Sequence, residues 1–566
     1  MSLDIIELTR ARESRAAIEK LYIEMRHIFN SGSYSPSNIS GKVLSEALHT
    51  LRPEIYGSIT DMEKVELNGL VYVMERLPKG IEECQFIRLI SDEGYSNSGF
   101  EVIIPAKRRR NCYKVDQDIM LIEVTRGRSE IYDILTHLTF MFNEAAKIRL
   151  HGFDKQGNKT KEWKQLERLV QGEVVLDDQN RDLAFSYLSN LLGRTFEQTK
   201  QAYFRFAETA PQNNGLFHIV YWLGKVAHAA EFANAPIQIS FTPTLRDRIG
   251  HHIHGEQWAN NIKKHLIEHR LIDRPIHIIS ANMHSVMNSL CAVSALKEDF
   301  PKHKKVADIA VELSKSNNRP LNNKVRLHAE SCGMLLLPDT TGTNLAVQIF
   351  DTTLLDINHL PQEIKADKTF VKEDKPVIIV MDYAFGEQAY ETMDELLKPY
   401  QNKKLQIKSI SIMGKAGILH GGKGDLMIPT AHVFEGTADN YPIENDFHKS
   451  DFEGFDLNVY EGPMISVLGT SLQNRDVLAY FRNSSWGAIG LEMEGAHYQK
   501  AIQAGSKIRN NVSADITVRY AYYASDNPLI TGGTLASGSL GSMGVKPTYL
   551  ITTKILSKIL NPITKG

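Results

Sequence analysis

The 566-residue sequence predicts an α/β protein in three parts: a helix-rich domain over 1–207, a small α/β region over 208–360 and a larger α/β domain over 374–566. Apolar residues recur at helical spacing in the first part, notably through 10–30 and 128–150. After residue 208, short apolar runs alternate with helical stretches, which is typical of a sheet with helices on its faces. At roughly 100–200 residues per domain, the length also agrees with several domains.

The helix-rich part also contains a predicted pair of strands. The segments GFEVIIPAK and DIMLIEVTRG, between residues 99 and 127, have strand character and predict a hairpin with a long connection. Further helices are predicted over 161–172 and 181–207. No pattern in this part indicates a chemistry.

Charge and cysteine content exclude several functional classes. Lys plus Arg number 65 and Asp plus Glu number 67, so no net field attracts nucleic acid or a membrane surface. The basic run Lys107 to Arg110 is interpreted as a solvated loop. The four cysteines form no CxxC pair and predict neither a disulfide framework nor a thiolate zinc site. With no signal peptide or membrane-length apolar run, we expect a soluble, cytoplasmic protein without nucleic-acid or membrane partners.

The middle region contains a histidine cluster and ends in a polar segment. The cluster, His251 to His254, lacks HxxxH or HExxH spacing, so the sequence gives no metal site there. Whether the cluster binds anything else stays open. The segment Pro361 to Lys375 is charged and lacks apolar periodicity, which predicts a domain boundary.

The last part shows strands that end in glycine-rich or acidic clusters. The strand Pro376 to Met381 precedes a short loop and a helix, and Lys408 to Met413 runs into Gly414-Lys415-Ala416-Gly417. Two later strands end at Glu492-Met493-Glu494 and at Ser525-Asp526-Asn527. Ligands of α/β sheets bind beyond the carboxyl ends of the strands. These clusters therefore predict a ligand site.

The residue types at these strand ends suit cleavage of an N-glycosidic bond. The leaving base needs a proton, the ribose develops oxocarbenium charge, and an acceptor must reach the anomeric carbon. Asp526, Glu494 and Glu387 occupy three different strand ends and can supply the acid, a carboxylate for the ribose hydroxyls and a base for water. Met493 offers a flexible apolar surface to the ribose.

The series GKAGILHGGKGDLMIP, LGTS, GLEMEGAHY and ASDNP resembles the purine nucleoside phosphorylase and methylthioadenosine/S-adenosylhomocysteine nucleosidase superfamily over about 374–566. The resemblance implies a mixed central sheet flanked by helices and cleavage of a purine nucleoside or nucleotide. It implies that Asp526 protonates the base, that Glu494 binds the ribose hydroxyls and that Glu387 activates water. It also implies a homo-oligomer. No cofactor is expected, because proton transfer and electrostatic stabilisation suffice for this reaction. The further substrate-binding residues that it implies are Gly414, Ala416, Gly417, Thr470, Leu472, Glu492, Met493, Ser525 and Asn527.

Some positions depart from the family pattern. Ile412 stands where the phosphorylases have an arginine, and neither the loop 382–386 nor the residues after Asp526 supply one. Because phosphate then has few donors, hydrolysis is favoured over phosphorolysis. Lys415 or His420 could still bind an anion, which leaves phosphorolysis and 5′-nucleotide substrates open. Leu472 occupies the position of an aromatic residue that stacks on the base, so the identity of the base stays open.

Two alternatives to a nucleosidase remain at this stage. One is a phosphorylase, and the other is a nucleoside-binding or sensing protein that has the pocket without turnover, since fold does not imply function. The direction of the Glu387 carboxylate discriminates between them. The sequence assigns no function to residues 1–373.

Overall fold

The computed structural model describes residues 5–177, 180–300, 305–315, 318–437, 439–530 and 541–562. The chain divides into two compact units. The N-terminal unit comprises Asp4–His251 with Ser471–Val477, and the C-terminal unit comprises the remainder. Helices and strands occur in both, which confirms the predicted α/β class. Within the described ranges, no helix combines the length and apolarity that crossing a membrane requires.

The N-terminal unit contains a six-stranded sheet and a set of helices. Its strands, in the spatial order β1-β6-β2-β5-β4-β3, are β1 (Ser33–Tyr34), β2 (Phe86–Ile90), β3 (Val102–Ile103), β4 (Cys112–Asp116), β5 (Ile119–Glu123) and β6 (Gln238–Phe241). Strand β2 is parallel to both of its neighbours, β5 and β6. The helices are α1 (Ile5–Ser31), α2 (Ile39–Leu51), α3 (Leu67–Met74), α4 (Gly127–Gly152), α5 (Lys161–Val170), α6 (Arg181–Leu192), α7 (Phe196–Glu208), α8 (Leu216–Phe232) and α9 (Pro243–Gly250).

The two long helices predicted for this unit are confirmed as α1 and α4, whereas two other predictions differ from the structure. The two predicted strands correspond to β3 and β5, but they do not pair with each other. Strand β4, which the sequence did not predict, lies between them and pairs with both. The two residues Gln117 and Asp118 form the turn from β4 into β5. The predicted helix over 181–207 is two helices. Gly193 takes the left-handed conformation (φ 59°) that ends α6, and Thr195 then forms a capping box that begins α7.

The basic run is not a solvated loop, as the sequence suggested, because two of its arginines are bound to an acid of α4. Arg108 donates to both carboxylate oxygens of Asp133, over 2.7 and 2.6 Å. Arg110 is buried and donates to the same carboxylate over 2.8 Å. Charge patterning alone cannot show these contacts, because Asp133 is on a separate element.

The C-terminal unit is built on a ten-stranded mixed sheet. Its strands are β7 (Ile276–Ser280), β8 (Met334–Leu337), β9 (Val347–Asp351), β10 (Val377–Met381), β11 (Ile407–Ile418), β12 (Leu426–Phe434), β13 (Asn440–Pro442), β14 (Val459–Ser466), β15 (Gly490–Glu492) and β16 (Thr517–Asp526). Nine of them follow the order β13-β12-β14-β15-β11-β7-β10-β9-β8, and β16 pairs with both β11 and β12. This second pairing closes β11, β16, β12, β14 and β15 into a ring.

Helices cover both faces of this sheet. In β10, Val377, Ile379 and Met381 belong to one hydrophobic core, and Ile378 and Val380 belong to a second core on the other face. This alternation is why the strand is an unbroken apolar run in sequence. The helices are α10 (Ile253–Glu268), α11 (Met283–Ala295), α12 (Val306–Leu313), α13 (Arg319–Ser331), α14 (Lys368–Asp374), α15 (Gln388–Leu397), α16 (Arg475–Asn483), α17 (Gly495–Gln503) and α18 (Val545–Leu560).

The division into units differs from the three predicted parts. The predicted region 208–360 is shared between both units, because β7 pairs in parallel with β10 and β11 and cannot form a separate domain. The polar segment 361–375 is not a linker. It contains α14, whose Asp367 caps the helix and whose Val371 is buried in the core.

Candidate active site

The carboxyl ends of four strands bring the predicted motifs to one region of the C-terminal unit. Strands β11 and β16 run parallel, and β15 lies on the other side of β11. Gly417 of β11 pairs with Asp526 of β16 and with Leu491 of β15. At about 4.8 Å between neighbouring strands, the ends of β15 and β16 therefore lie roughly 10 Å apart. Strand β14 ends beside β15, where Ser466 pairs with Glu492.

The Gly414–Gly417 motif differs from its predicted form. It was expected to follow a strand as a loop, but it continues β11, which extends to Ile418 because β16 pairs with it along its length. A register shift falls between Ala416 and Gly417. This shift places Asp526 opposite Gly417, so the motif lines the strand that carries the predicted acid.

Asp526 is buried (1% exposed) at the end of β16. The Ser525 hydroxyl donates to Asp526 Oδ1 and lies 3.1 Å from the carbonyl oxygen of Ala416. No described residue donates to Asp526 Oδ2. Burial raises the pKa of Asp526, and the opposing effects of Ser525, Lys415 and Lys423 do not cancel this rise. A carboxyl in this setting holds a proton at higher pH than an exposed aspartate does.

Glu492 and Glu494 form a close carboxyl pair at the end of β15. Glu492 accepts hydrogen bonds from the Ser466 hydroxyl and from the backbone N–H groups of Glu494 (2.6 Å) and Gly495. Glu494 Oε1 accepts the N–H of Gly386 over 3.2 Å. The Ser466 hydroxyl oxygen also accepts the N–H of Ala496 over 3.0 Å, which fixes it between β14 and the start of α17.

Both carboxyls of this pair bind protons more tightly than free glutamate. Burial raises the pKa of Glu492 to about 7, against the three donors that stabilise its anion. Burial, together with the smaller effect of the Glu492 charge, raises the pKa of Glu494 to about 8. Since Glu492 has more donors, it is the carboxyl of the pair that ionises first. Glu494 is half-buried, whereas Glu492 is buried.

The loop after β10 approaches these groups. Gly386 binds Glu494, and Glu387 follows it as the residue before α15. A Cβ atom added at Gly414 would stand 3.4 Å from Cε1 of Tyr383. Tyr383 therefore lies over the Gly414–Gly417 motif, with 39% of its surface exposed. The loop thus joins β10 to the strand ends that carry the acidic residues.

Sequence reasoning missed several groups at these strand ends. Ser466, Tyr383 and His432 have no motif that marks them, because each contributes through a neighbour on another strand. His432 is fully buried against Gly495, where an added Cβ would be 2.2 Å from Nε2. Burial lowers the pKa of His432 to about 3, so its imidazole is neutral. The glycine of the EMEG motif is therefore required by this contact.

The remaining predicted residues occupy other settings. Met493 is buried between the two glutamates. Asn527 donates to the carbonyl oxygen of Gly421 over 3.2 Å and so holds the glycine turn that follows β11. Thr470 is half-buried in the C-terminal unit. Leu472 is buried in the segment 471–477, which belongs to the N-terminal unit, so the structure does not group it with the other predicted residues.

One group of potential metal ligands occurs in the described part of the chain. It comprises Glu82, Glu83 and His218 of the N-terminal unit, with ligand atoms within 4.8 Å of one another. The Lys114 ammonium group already pairs with Glu83, which opposes binding of a cation. In the histidine cluster, His254 Nδ1 lies 3.0 Å from the carbonyl oxygen of Thr341, within a structural contact.

Comparison with solved structures finds similar folds over about half of the chain. Futalosine hydrolase of Helicobacter pylori is 12% identical, with 51% of this chain and 98% of that chain covered and a TM-score of 0.31. The methylthioadenosine/S-adenosylhomocysteine nucleosidase of Campylobacter jejuni is 10% identical, with coverage of 50% and 98% and a TM-score of 0.29. Uridine phosphorylase from Schistosoma mansoni is 11% identical, with coverage of 50% and 85% and a TM-score of 0.29.

Comparison by sequence gives a family. No curated protein sequence matches the chain. One family model matches residues 42–324 and 309–561, which together span both units and far more than half of the chain. The chain therefore belongs to the family of unknown function DUF6909.

Proposed function

We propose that the C-terminal unit hydrolyses the N-glycosidic bond of a purine nucleoside or nucleotide. The observation that carries this proposal is the convergence of a buried acid, Asp526, and a carboxyl pair, Glu492 and Glu494, on the two strands that flank Gly417. The sequence motifs that resemble the phosphorylase and nucleosidase superfamily support the same assignment.

Asp526 is the proposed acid. Its raised pKa favours the protonated form, and its proton goes to a ring nitrogen of the purine as the electron pair of the glycosidic bond leaves with the base. The Ser525 hydroxyl holds Oδ1 and thereby leaves Oδ2 as the position for the proton. Asp526 is restored when it takes a proton from solvent after the base departs.

Glu494 is the proposed ribose ligand. Ribose hydroxyls that donate to its carboxylate stabilise the anion, and the anion in turn favours positive charge on the ribose in the transition state. Glu492 does not bind substrate in this scheme. Its contacts with Ser466, Gly495 and the Glu494 N–H fix the backbone from which Glu494 projects, so Glu492 is a positioning residue.

Glu387 is the proposed base for water. It directly follows Gly386, whose N–H binds Glu494, so water held by Glu387 would lie close to the ribose ligand. The water loses one proton to Glu387 and adds its oxygen to the anomeric carbon, which gives free base and ribose from a nucleoside, or free base and ribose 5-phosphate from a 5′-nucleotide. Hydrolysis is favoured because Ile412 is a buried apolar residue of β11 and offers phosphate no donor.

Tyr383 is the proposed aromatic surface of the pocket. Leu472 cannot stack on a base as an aromatic ring does, whereas Tyr383 lies exposed over Gly414. A purine or the 5′ substituent of the nucleoside would pack against its ring. The exposed Lys415 side chain near Asp526 is the observation that favours the second candidate, phosphorolysis.

A panel of purine nucleosides and 5′-nucleotides, incubated with and without phosphate and analysed for free base by chromatography, tests the proposal. We expect base and ribose to be released without phosphate. Release only in the presence of phosphate, with ribose 1-phosphate as the second product, would replace hydrolysis by phosphorolysis. Binding of a nucleoside without any release would make the protein a sensor and contradict both reactions.

A further inference from the structure

A second cavity of the C-terminal unit lies at the amino ends of its strands, away from the candidate active site. It has a volume of about 780 Å³ and is lined by the first residues of β11 and β16, Ile407 and Thr517, together with His277 of β7. Thr517 and Asp526 are nine residues apart on one strand, so the two sites are separated by roughly 30 Å at 3.3 Å per residue. Pockets that bind small molecules commonly have volumes of about 300–1,000 Å³.

Four cationic and two acidic side chains line this cavity. Lys404, Lys408, Arg519 and Lys558 line it, against the two carboxylates of Asp374 and Asp515. Outside the lining, Asp446 accepts from Arg519 Nε over 2.8 Å, and the carboxylates of Asp446 and Asp451 lie 3.5 and 3.4 Å from the Lys558 ammonium group. Arg519 and Lys558 are therefore paired with acids, and Lys404 and Lys408 provide the cations that have no acidic partner among the described residues. Lys404 and Lys408 are exposed at the rim, and Arg519 is buried.

Two buried side chains in the cavity wall have nitrogen atoms without partners among the described residues. Arg519 is 6% exposed, and its Nη1 has no acceptor there. His277 is 8% exposed, and its Nε2 is likewise without a partner, while its Nδ1 lies 2.7 Å from Ser409 Oγ. Buried polar groups in native proteins nearly always have a partner. A ligand acceptor that reaches these two atoms would satisfy them.

The protonation of His277 agrees with an anionic ligand. Burial, together with the smaller effects of the Arg519 and Lys408 charges, lowers the pKa of His277 to about 3, so the imidazole is neutral. When Ser409 donates to Nδ1, Nε2 carries the hydrogen and is a neutral donor. Arg519 and Lys408 then supply the charge, and His277 supplies a directed hydrogen bond.

We propose that this cavity binds a small organic phosphate, such as a phosphorylated sugar or nucleotide. A guanidinium group presents its N–H donors in a fork that matches phosphate oxygens, and the lysines at the rim add long-range attraction. The volume far exceeds that of a free phosphate ion and leaves room for an organic group. The inference is independent of the proposed reaction, because it uses none of its residues.

Titration calorimetry of the full-length protein with ribose 5-phosphate and with inorganic phosphate tests this site. We expect ribose 5-phosphate to bind at least tenfold more tightly than inorganic phosphate. Arg519→Gln should raise the Kd of ribose 5-phosphate at least tenfold, and Lys408→Gln should raise that Kd about threefold or more. Lys408 is exposed, and its side chain forms no hydrogen bond or ion pair with another described residue, so this second variant keeps the test valid if Arg519→Gln fails to fold.

Two control variants locate the binding. Lys264→Gln changes an exposed lysine of α10 outside the cavity, and Asp526→Asn changes the candidate active site. Both should bind ribose 5-phosphate as the unchanged protein does. No binding, binding unaffected by Lys408→Gln and Arg519→Gln, or loss in Asp526→Asn would overturn the proposal. Equal affinity for both probes would reduce the site to one for the free ion and overturn its assignment to an organic phosphate.

Discussion

The backbone N–H of Gly386 donates a hydrogen bond to Glu494 Oε1 over 3.2 Å, although 108 residues separate them in sequence. This bond ties the loop after β10 to the end of β15. Glu387 is the next residue along the chain, and Glu494 is the carboxylate that we assign to the ribose. Hydrolysis requires a base that activates water close to the ribose. The hydrogen bond between Gly386 and Glu494 therefore links the loop that carries the proposed base, Glu387, to the proposed ribose ligand, Glu494.

Glu387→Gln tests the assignment of the base. The substitution keeps the size of the side chain and removes its capacity to take a proton from water. We expect kcat for base release to fall by roughly 10²–10⁴, the usual contribution of a general base, while the Kd of the nucleoside changes little. Stopped assays and equilibrium binding measure the two quantities. Glu373→Gln, at an exposed position of α14, is the matched control, and an unchanged kcat in Glu387→Gln would remove the base from the scheme.

Glu494 is expected to make the stability of the protein depend on pH. Its pKa is about 8 in the folded protein, against 4.5 for an unperturbed glutamate. Between these values the folded state binds more protons than the unfolded state, so the free energy of unfolding falls as pH rises. The stability that the protonated Glu494 contributes is fully present below about pH 4.5 and is lost as pH rises through about 8.

Glu494→Gln isolates this effect, because the amide resembles the protonated acid at every pH. We expect the Tm of the variant minus that of the unchanged protein to increase as pH is raised from about 6 to about 9. Thermal unfolding of both proteins in a series of buffers measures this difference in Tm. A difference in Tm that stays constant across this range would mean that Glu494 titrates like an exposed carboxyl.

Gly495→Ala tests the packing beneath the carboxyl pair. The added methyl group would lie 2.2 Å from Nε2 of the fully buried His432, so a neighbour must shift. We expect a loss of about 1–3 kcal/mol in the free energy of unfolding, as in other overpacked cores. Gly422→Ala is the control, since a Cβ there meets no atom within 4 Å. Equal denaturation midpoints for the two variants would contradict the contact.

The sequence predicts the fold best where its signal is local. The unbroken apolar run of β10 and the helical spacing of apolar residues in α4 both identify their elements. A strand buried on both faces needs consecutive apolar residues, and a buried helix face needs apolar residues at helical spacing. The boundary between units was not predictable. Strand β7 lies about a hundred residues before β10 yet pairs with it, and no local pattern encodes that partnership.

The candidate site shows the same limit. The motifs around Asp526, Glu492 and Glu494 are visible in sequence because their residues are consecutive. Tyr383, Ser466 and His432 are not, because each meets the site through a residue on another strand. The resemblance aligns Leu472 with a position that stacks on the base; the segment that carries it belongs to the N-terminal unit, and its role stays a prediction. Order along the chain does not determine which unit a connecting segment joins.

The most direct test of the proposed reaction compares base release by the unchanged protein and by Asp526→Asn. The asparagine keeps the contacts of Oδ1 but cannot give a proton to the purine. We predict a fall in kcat of roughly 10²–10⁴ with nucleoside binding retained, and no change in Asp456→Asn, which alters an exposed loop. Full activity in Asp526→Asn would contradict the account, because the group on which the proposed reaction depends would then have no part in it.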